Sequence, residues 1–136
     1  MNSNNIKDID AAVTAFFSVF DNRSGRLPNF PHLQDMFISN ALIAKRTSTS
    51  LEIMSLSEFI KPREMLLTDG SLTEFHEWET EHRTFVNSGI ATRICHFKKK
   101  GILNGQPYDG QGEKHIQLVF SSQSWKIASV IWEDKI

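Results

Sequence analysis

Beyond Leu72 the chain alternates polar and apolar residues with a period of two, whereas near its start apolar residues recur every three or four positions. In the run from Glu74 to Arg83, the odd positions Glu77, Glu79, Glu81 and Arg83 are charged. The even positions hold His76, Trp78, Thr80 and His82. Successive side chains of a strand point to opposite faces, so this run predicts a strand with one charged face. Asn87-Ser88-Gly89 supplies turn chemistry, and Ile90 to Phe97 predicts the next strand. A two-residue loop puts Arg93, Cys95 and Phe97 on the face of Trp78, Thr80 and His82. A three-residue loop or a bulge reverses that assignment, and a bulge brings Glu79 inward.

Lys98-Lys99-Lys100-Gly101 is expected to end this strand. A long glycine-rich connection through Asn104-Gly105 and Asp109-Gly110-Gln111-Gly112 then leads to strands at Lys114 to Phe120 and Trp125 to Trp132. A Ser122-Gln123 loop between them places His115, Gln117 and Val119 with Ala128, Val130 and Trp132. The other face holds Ile116, Leu118, Phe120, Trp125, Ile127 and Ile131. Both faces are largely apolar, unlike a sheet with water on one side. Helices are expected on one face and a second copy of the chain on the other.

Ile6, Ile9, Val13, Phe16, Phe17 and Phe20 form one apolar stripe, which predicts a helix from about Ile6 to Phe20, stopped by Asn22-Arg23-Ser24-Gly25. Asn29 to Phe37 reads as a short second helix with Pro31 in its first turn. Asn40 to Arg46 and Leu51 to Met54 read as a hairpin. Ser55-Leu56-Ser57-Glu58 matches a capping box, but Pro62 disfavours a helix interior. The expectation is a turn at Leu56 to Ile60, then a helix from Pro62 to about Leu67. Helices, a hairpin, a helix and a four-strand meander make an α+β domain over residues 1–136.

Composition narrows the function classes. The chain has 136 residues, is 40% hydrophobic and carries a formal net charge of −1, which argues for a folded core and gives no electrostatic case for nucleic acid. One cysteine excludes an internal disulfide framework. No run approaches the roughly 20 apolar residues that span a bilayer, and the first residues lack signal-peptide features. The expectation is a cytoplasmic protein without a membrane partner.

The order of elements resembles the nuclear-transport-factor-2-like superfamily, which includes SnoaL-like cyclases and ketosteroid isomerases. Particular residues carry the resemblance: Phe75-His76-Glu77 with Glu79, Gly89-Ile90-Ala91, Gln117-Leu118, and Trp125-Lys126-Ile127 ahead of Ile131-Trp132-Glu133-Asp134. The resemblance implies a cone: a curved, mostly antiparallel sheet around three helices, with a pocket at the open end and a homodimer through the outer sheet face. It also places Phe16 where the isomerases have an oxyanion-hole tyrosine, Lys45 or a neighbour at their general base, and Gln117 at their acidic donor. Phe16 has no donor, Lys45 replaces an aspartate, and the Gln117 amide can donate a hydrogen bond but cannot titrate, so steroid isomerisation is not expected. Other pocket chemistry stays open, because function lives in the site grafted onto a fold.

Candidate ligand-binding residues are then Phe16, Trp78, His82, Arg93, Cys95, Phe97, His115, Gln117 and Trp132. Aromatic walls supply affinity, and His82, Arg93, His115 and Gln117 supply orientation. Arg93 either grips an anion or pairs with a strand glutamate. His82 beside Cys95 is a candidate activated thiol, against the plainer reading of an inert buried cysteine. His76 and His82 lie six positions apart, about 20 Å along a strand, too far to share a metal. No cofactor is expected. The ligand is expected to be small and amphipathic or to bear a carboxylate; the alternative is a non-catalytic dimeric module.

Overall fold

The computed structural model describes residues 4–135. Its elements in order are α1 (Asn4–Ser18), a 3-10 turn (Arg23–Gly25), α2 (Phe30–Asp35), β1 (Phe37–Arg46), β2 (Leu51–Met54), α3 (Leu56–Thr68), β3 (Leu72–Asn87), β4 (Ile90–Leu103), β5 (Gln106–Ser121) and β6 (Ser124–Lys135). The strands form one sheet in the order β2-β1-β6-β5-β4-β3. The β1–β6 pairing is parallel and the others are antiparallel. Helix α1 touches both β3, at one edge, and β6, three strands away, so the sheet curls around it. No helix among the described residues is long and apolar enough to cross a membrane.

The predicted stripe makes α1 the centre of the core. Ile9, Val13, Phe16, Phe17 and Phe20 are all buried. Phe16 meets Phe17, Phe20 and Phe37 edge to face at 5.7–6.0 Å between ring centres. Burying each such ring stabilises the fold by about 1.5–3 kcal/mol. Beyond α1, Asn22 does more than stop a helix. Its buried side-chain amide donates to the carbonyls of Leu67 and Leu72 at 3.0 and 2.8 Å and accepts from the Phe75 N–H at 2.8 Å. One side chain thus ties the end of α3 and the start of β3 to the exit of α1.

The capping box at Ser55 and Glu58 is present, with both reciprocal bonds. It starts a single helix, Leu56–Thr68, that carries Pro62 in its interior; the expected turn at Leu56 to Ile60 is not there. Phe59, Ile60 and Leu67 bury the inner face of this helix. Their burial, together with the cap, outweighs the roughly 3 kcal/mol that proline costs in a helix interior.

The sheet departs from expectation in two ways. First, β4 runs through Lys98–Lys100 to Leu103, turns on Asn104 and Gly105 (φ 50° and 81°), and the glycine-rich run becomes β5. Gly112 is there because the strand is crowded: a Cβ on it would lie 2.3 Å from the Glu133 carbonyl oxygen and 2.7 Å from the Phe97 ring. Second, the two-residue loops at Ser88-Gly89 and Ser122-Gln123 are as expected, but the register shifts twice in the first hairpin, between Thr73 and His76 and between Glu79 and Glu81, and once in the second.

In the first hairpin Thr84 pairs with Arg93 and His82 with Cys95, as expected. A register shift between Glu79 and Glu81 then pairs Glu79 with Phe97 and Glu77 with Lys99. Below that shift the odd glutamates face inward and Trp78 faces out beside Lys98. In the second hairpin a shift beside Gln117 pairs Leu118 with Ile127 on one side, and Ile116 with Val130 and Lys114 with Trp132 on the other. The inward face therefore combines Leu118 and Ile127 with Val130 and Trp132, residues that strict alternation had put on opposite faces. His115 and Gln117 point outward.

Candidate functional site

A cleft of about 380 Å³ opens between α3, the end of α1 and the hollow side of the sheet. Its apolar wall includes Phe16, Phe20, Phe59, Phe75 and Trp132. Its polar groups are Lys45, Glu52, Glu58, Arg63, Glu77, Lys99, Tyr108, Lys114 and Asp134. Seven elements supply them: β1 brings Lys45, β2 Glu52, α3 both Glu58 and Arg63, β3 Glu77, β4 Lys99, β5 both Tyr108 and Lys114, and β6 Asp134.

The cations are held unequally. Asp134 bridges Lys45 at 3.4 Å and Lys99 at 3.2 Å. Burial raises the Asp134 carboxyl, but Lys99 and Lys45 outweigh it and hold the group below its ordinary range. Burial likewise disfavours the Lys99 ammonium, yet the Asp134 charge leaves its pKa raised. Lys114 lies deeper, with its side chain 7% exposed and Nζ 3.4 Å from the Glu77 carboxylate. The Phe97 ring centre is 4.1 Å from that Nζ and the Trp132 centre 4.9 Å. Burial pushes the Lys114 pKa down despite Glu77, and Lys99 adds a like charge.

Arg63 differs from all three lysines. Its guanidinium lies over the Phe59 ring at 4.1 Å and 5.4 Å from the Trp132 centre, and it donates to the Phe59 carbonyl at 3.0 Å. Among the described residues no carboxylate forms an ion pair with it. Burial lowers its pKa, with distant Glu77 and Glu52 opposing.

Of the residues singled out from sequence, Phe16 and Trp132 line this cleft. Lys45 does too. Arg93, Cys95 and Phe97 face inward as expected and are fully buried, but outside the cleft lining. Arg93 is occupied: Nε and Nη2 bind both oxygens of Glu79 at 2.9 and 2.6 Å, and Nη1 reaches Asp10 at 2.5 Å and Thr84 at 3.2 Å. The bulge at Thr80 is what brings Glu79 to it. Burial disfavours the charged guanidinium, and the bonds to Glu79 and Asp10 reverse that, raising its pKa. Cys95 is no activated thiol: burial, with the Glu79 charge, pushes it up to about 12. His82 stands opposite it in register but is exposed.

Three expectations are corrected outright. Trp78 stacks on His76 at 4.4 Å, on the side of the sheet away from the cleft. His115 and Gln117 are exposed on the outer face, where His115 meets Glu113 at 2.6 Å and Gln117 accepts from the Thr92 hydroxyl at 3.1 Å. For Trp78 the bulge at Thr80 shifted the register; for His115 and Gln117, β5 alternates unbroken, and the extra residue is Ala128 on β6, which brings Trp132 to the face of Ile116 and Leu118 and parts it from His115 and Gln117. The cleft's own charged groups were missed because charge on a strand is usually solvated. One signal was available: Lys114 is in phase with Ile116 and Leu118, the apolar side of β5.

With the geometry in place, comparison with known proteins defines the class. The chain has the nuclear-transport-factor-2-like fold. It superposes on the Kfla4162 protein from Kribbella flavida with a TM-score of 0.77 at 17% identity, covering 98% of this chain and 92% of that one. A nuclear-transport-factor-2-like protein of unknown function from Silicibacter pomeroyi gives 0.69 at 18% identity, covering 99% and 100%. A candidate scytalone dehydratase from Novosphingobium aromaticivorans gives 0.77 at 11% identity, covering 98% and 85%. No protein-family model matches the sequence, and no curated protein does.

Proposed function

We propose that this protein binds a small amphipathic carboxylate in the cleft, its apolar body against Phe16, Phe20, Phe59 and Trp132 and its carboxylate on Arg63. The observation that carries the reading is the contrast among the cations. Lys45, Lys99 and Lys114 each have a carboxylate partner, whereas Arg63 has none among the described residues. A half-buried guanidinium flanked by two aromatic rings is a ready anion site, because its fork can meet both carboxylate oxygens. The open cleft supports this over a module whose cavity is filled by its own side chains. Titration with 4-methylbenzoate, followed by calorimetry and thermal shift, tests it. Arg63→Gln is expected to weaken binding about ten- to a hundredfold, the worth of a hydrogen bond to a charged group. Equal binding by the methyl ester, or by Arg63→Gln, would overturn it.

We also propose that a second copy covers the outer sheet face. Ile94 on β4 and Ile131 on β6 flank His115 in register there, and Ile131 is 43% exposed. Light scattering after size exclusion checks this: a dimer that Ile131→Arg turns into a monomer is the expected result, and a wild-type monomer at micromolar concentration would refute it.

A further inference from the structure

Lys114 is an unusual group to find at the base of a cleft. Its side chain is almost completely buried, yet among the described residues its amine has a single carboxylate partner, Glu77, at a long 3.4 Å. A charge-assisted N–H···O bond is normally about 2.7–2.9 Å. The amine lies 4.9 Å from the centre of the Trp132 ring, and Arg63 lies 5.4 Å from the same centre. The two cations are therefore separated by no more than the sum of those distances, within the span of one small ligand. Glu77, 12% exposed, also lines the cleft and has Lys114 as its ion-pair partner.

From this juxtaposition we infer that Lys114 forms an imine with a carbonyl-bearing carboxylate held by Arg63, with Glu77 moving the protons. The inference rests on the carboxylate reading above and adds a covalent step to it. Glu77 takes a proton from the Lys114 ammonium and frees the nitrogen lone pair. Nζ then attacks the carbonyl carbon; the C–N bond forms and the carbonyl π pair moves to oxygen. A proton passes from nitrogen to that oxygen and gives a carbinolamine. Glu77 returns its proton to the hydroxyl, the C–O bond breaks, and water leaves. The product is a protonated imine facing the Glu77 carboxylate, and the net change is loss of one water. Burial favours the neutral amine that this chemistry needs, as desolvated lysines generally do. No oxidant, reductant or metal enters the balance.

The test is reductive trapping. The whole chain is incubated with 4-carboxybenzaldehyde and sodium cyanoborohydride, and the product is read by intact mass and peptide mapping. One adduct per chain is expected at Lys114, adding the mass of the aldehyde less one oxygen. It should form at least tenfold faster than at exposed Lys61 or Lys98. Lys114→Met should lose that adduct, and Glu77→Gln should slow it. Labelling of the wild type spread evenly over surface lysines would overturn the inference without reference to any variant, so a misfolded substitution cannot rescue it. Failure here is distinguishable from failure of the binding reading. If 4-methylbenzoate binds in an Arg63-dependent way but no Lys114 adduct is trapped, only the imine is wrong; if it does not bind, the carboxylate reading falls as well.

Discussion

Replacing Arg93 by methionine is the sharpest probe of how β3 and β4 are tied to α1. Arg93 is the largest fully buried side chain among the described residues, with 2% of that side chain exposed. It meets Glu79, 13% exposed, by two bonds, and Asp10, 45% exposed, by one. The Asp10 contact is half in solvent and contributes below about 1 kcal/mol. The Glu79 contact is different. Without Arg93 its carboxylate stays buried with no cation to compensate it, and breaking such a pair from one side costs about 3–5 kcal/mol. Against a total stability of about 5–15 kcal/mol this is a large fraction. Changing both residues, as Glu79→Met with Arg93→Met, removes the stranded charge along with its partner. Apolar replacement of a buried pair is often neutral or better. The double variant should therefore recover at least about 2 kcal/mol of the single variant's loss. Urea unfolding of wild type, both single variants and the double variant measures this as a cycle. A cost for Arg93→Met below about 1 kcal/mol, or a double variant equal to the sum of the singles, would refute the account of a buried, mutually dependent pair.

Two further outcomes are expected. Cys95, buried and with its thiol pushed up to about 12, should not react with an aromatic disulfide reagent at pH 8 in the folded state, and its labelling rate should track global unfolding across urea concentrations. Fast stoichiometric labelling without denaturant would contradict its placement. Asp21 accepts from Arg23 and Arg26 at 2.8 Å each, and the Arg23 bond holds its carboxyl below the ordinary 3.8. Because the folded value lies under the unfolded one, its stabilisation is complete above about pH 5 and is lost as pH falls through the folded pKa. The stability gap between wild type and Asp21→Asn should thus be flat near neutrality and shrink below about pH 4; a gap that widens on acidification would show the sign to be wrong.

How much was legible from residues alone depends on the length scale of the signal. The stripe from Ile9 to Phe20, the capping box at Ser55, and the loops at Ser88-Gly89 and Ser122-Gln123 are local patterns, and all four are present in the structure. The bulges at Thr80 and beside Gln117 are not local patterns. Each is one extra residue that leaves no mark on composition, yet each reverses every facing beyond it. That is why Arg93, close to its loop, was correctly expected to face inward, whereas Trp78, past the bulge, was not. Pro62 misled in another way. A strong local preference against helix was overridden by the burial of Phe59 and Leu67 on either side. The cleft's charges could be read only in phase with their apolar neighbours, as Lys114 is with Ile116.

The bulge at Thr80 has a consequence for how such a cavity can change its chemistry. Deleting that single residue would restore alternation from His76 to Asn87 and rotate the stretch from His76 to Glu79 by one step. Trp78 and His76 would then enter the hollow, and Glu77 and Glu79 would leave it. An acidic lining becomes an aromatic one through a lost codon, with no side chain replaced and no strand removed. On a scaffold of this kind, length variation of a single position within a strand is a route to new ligands as direct as substitution in the lining itself.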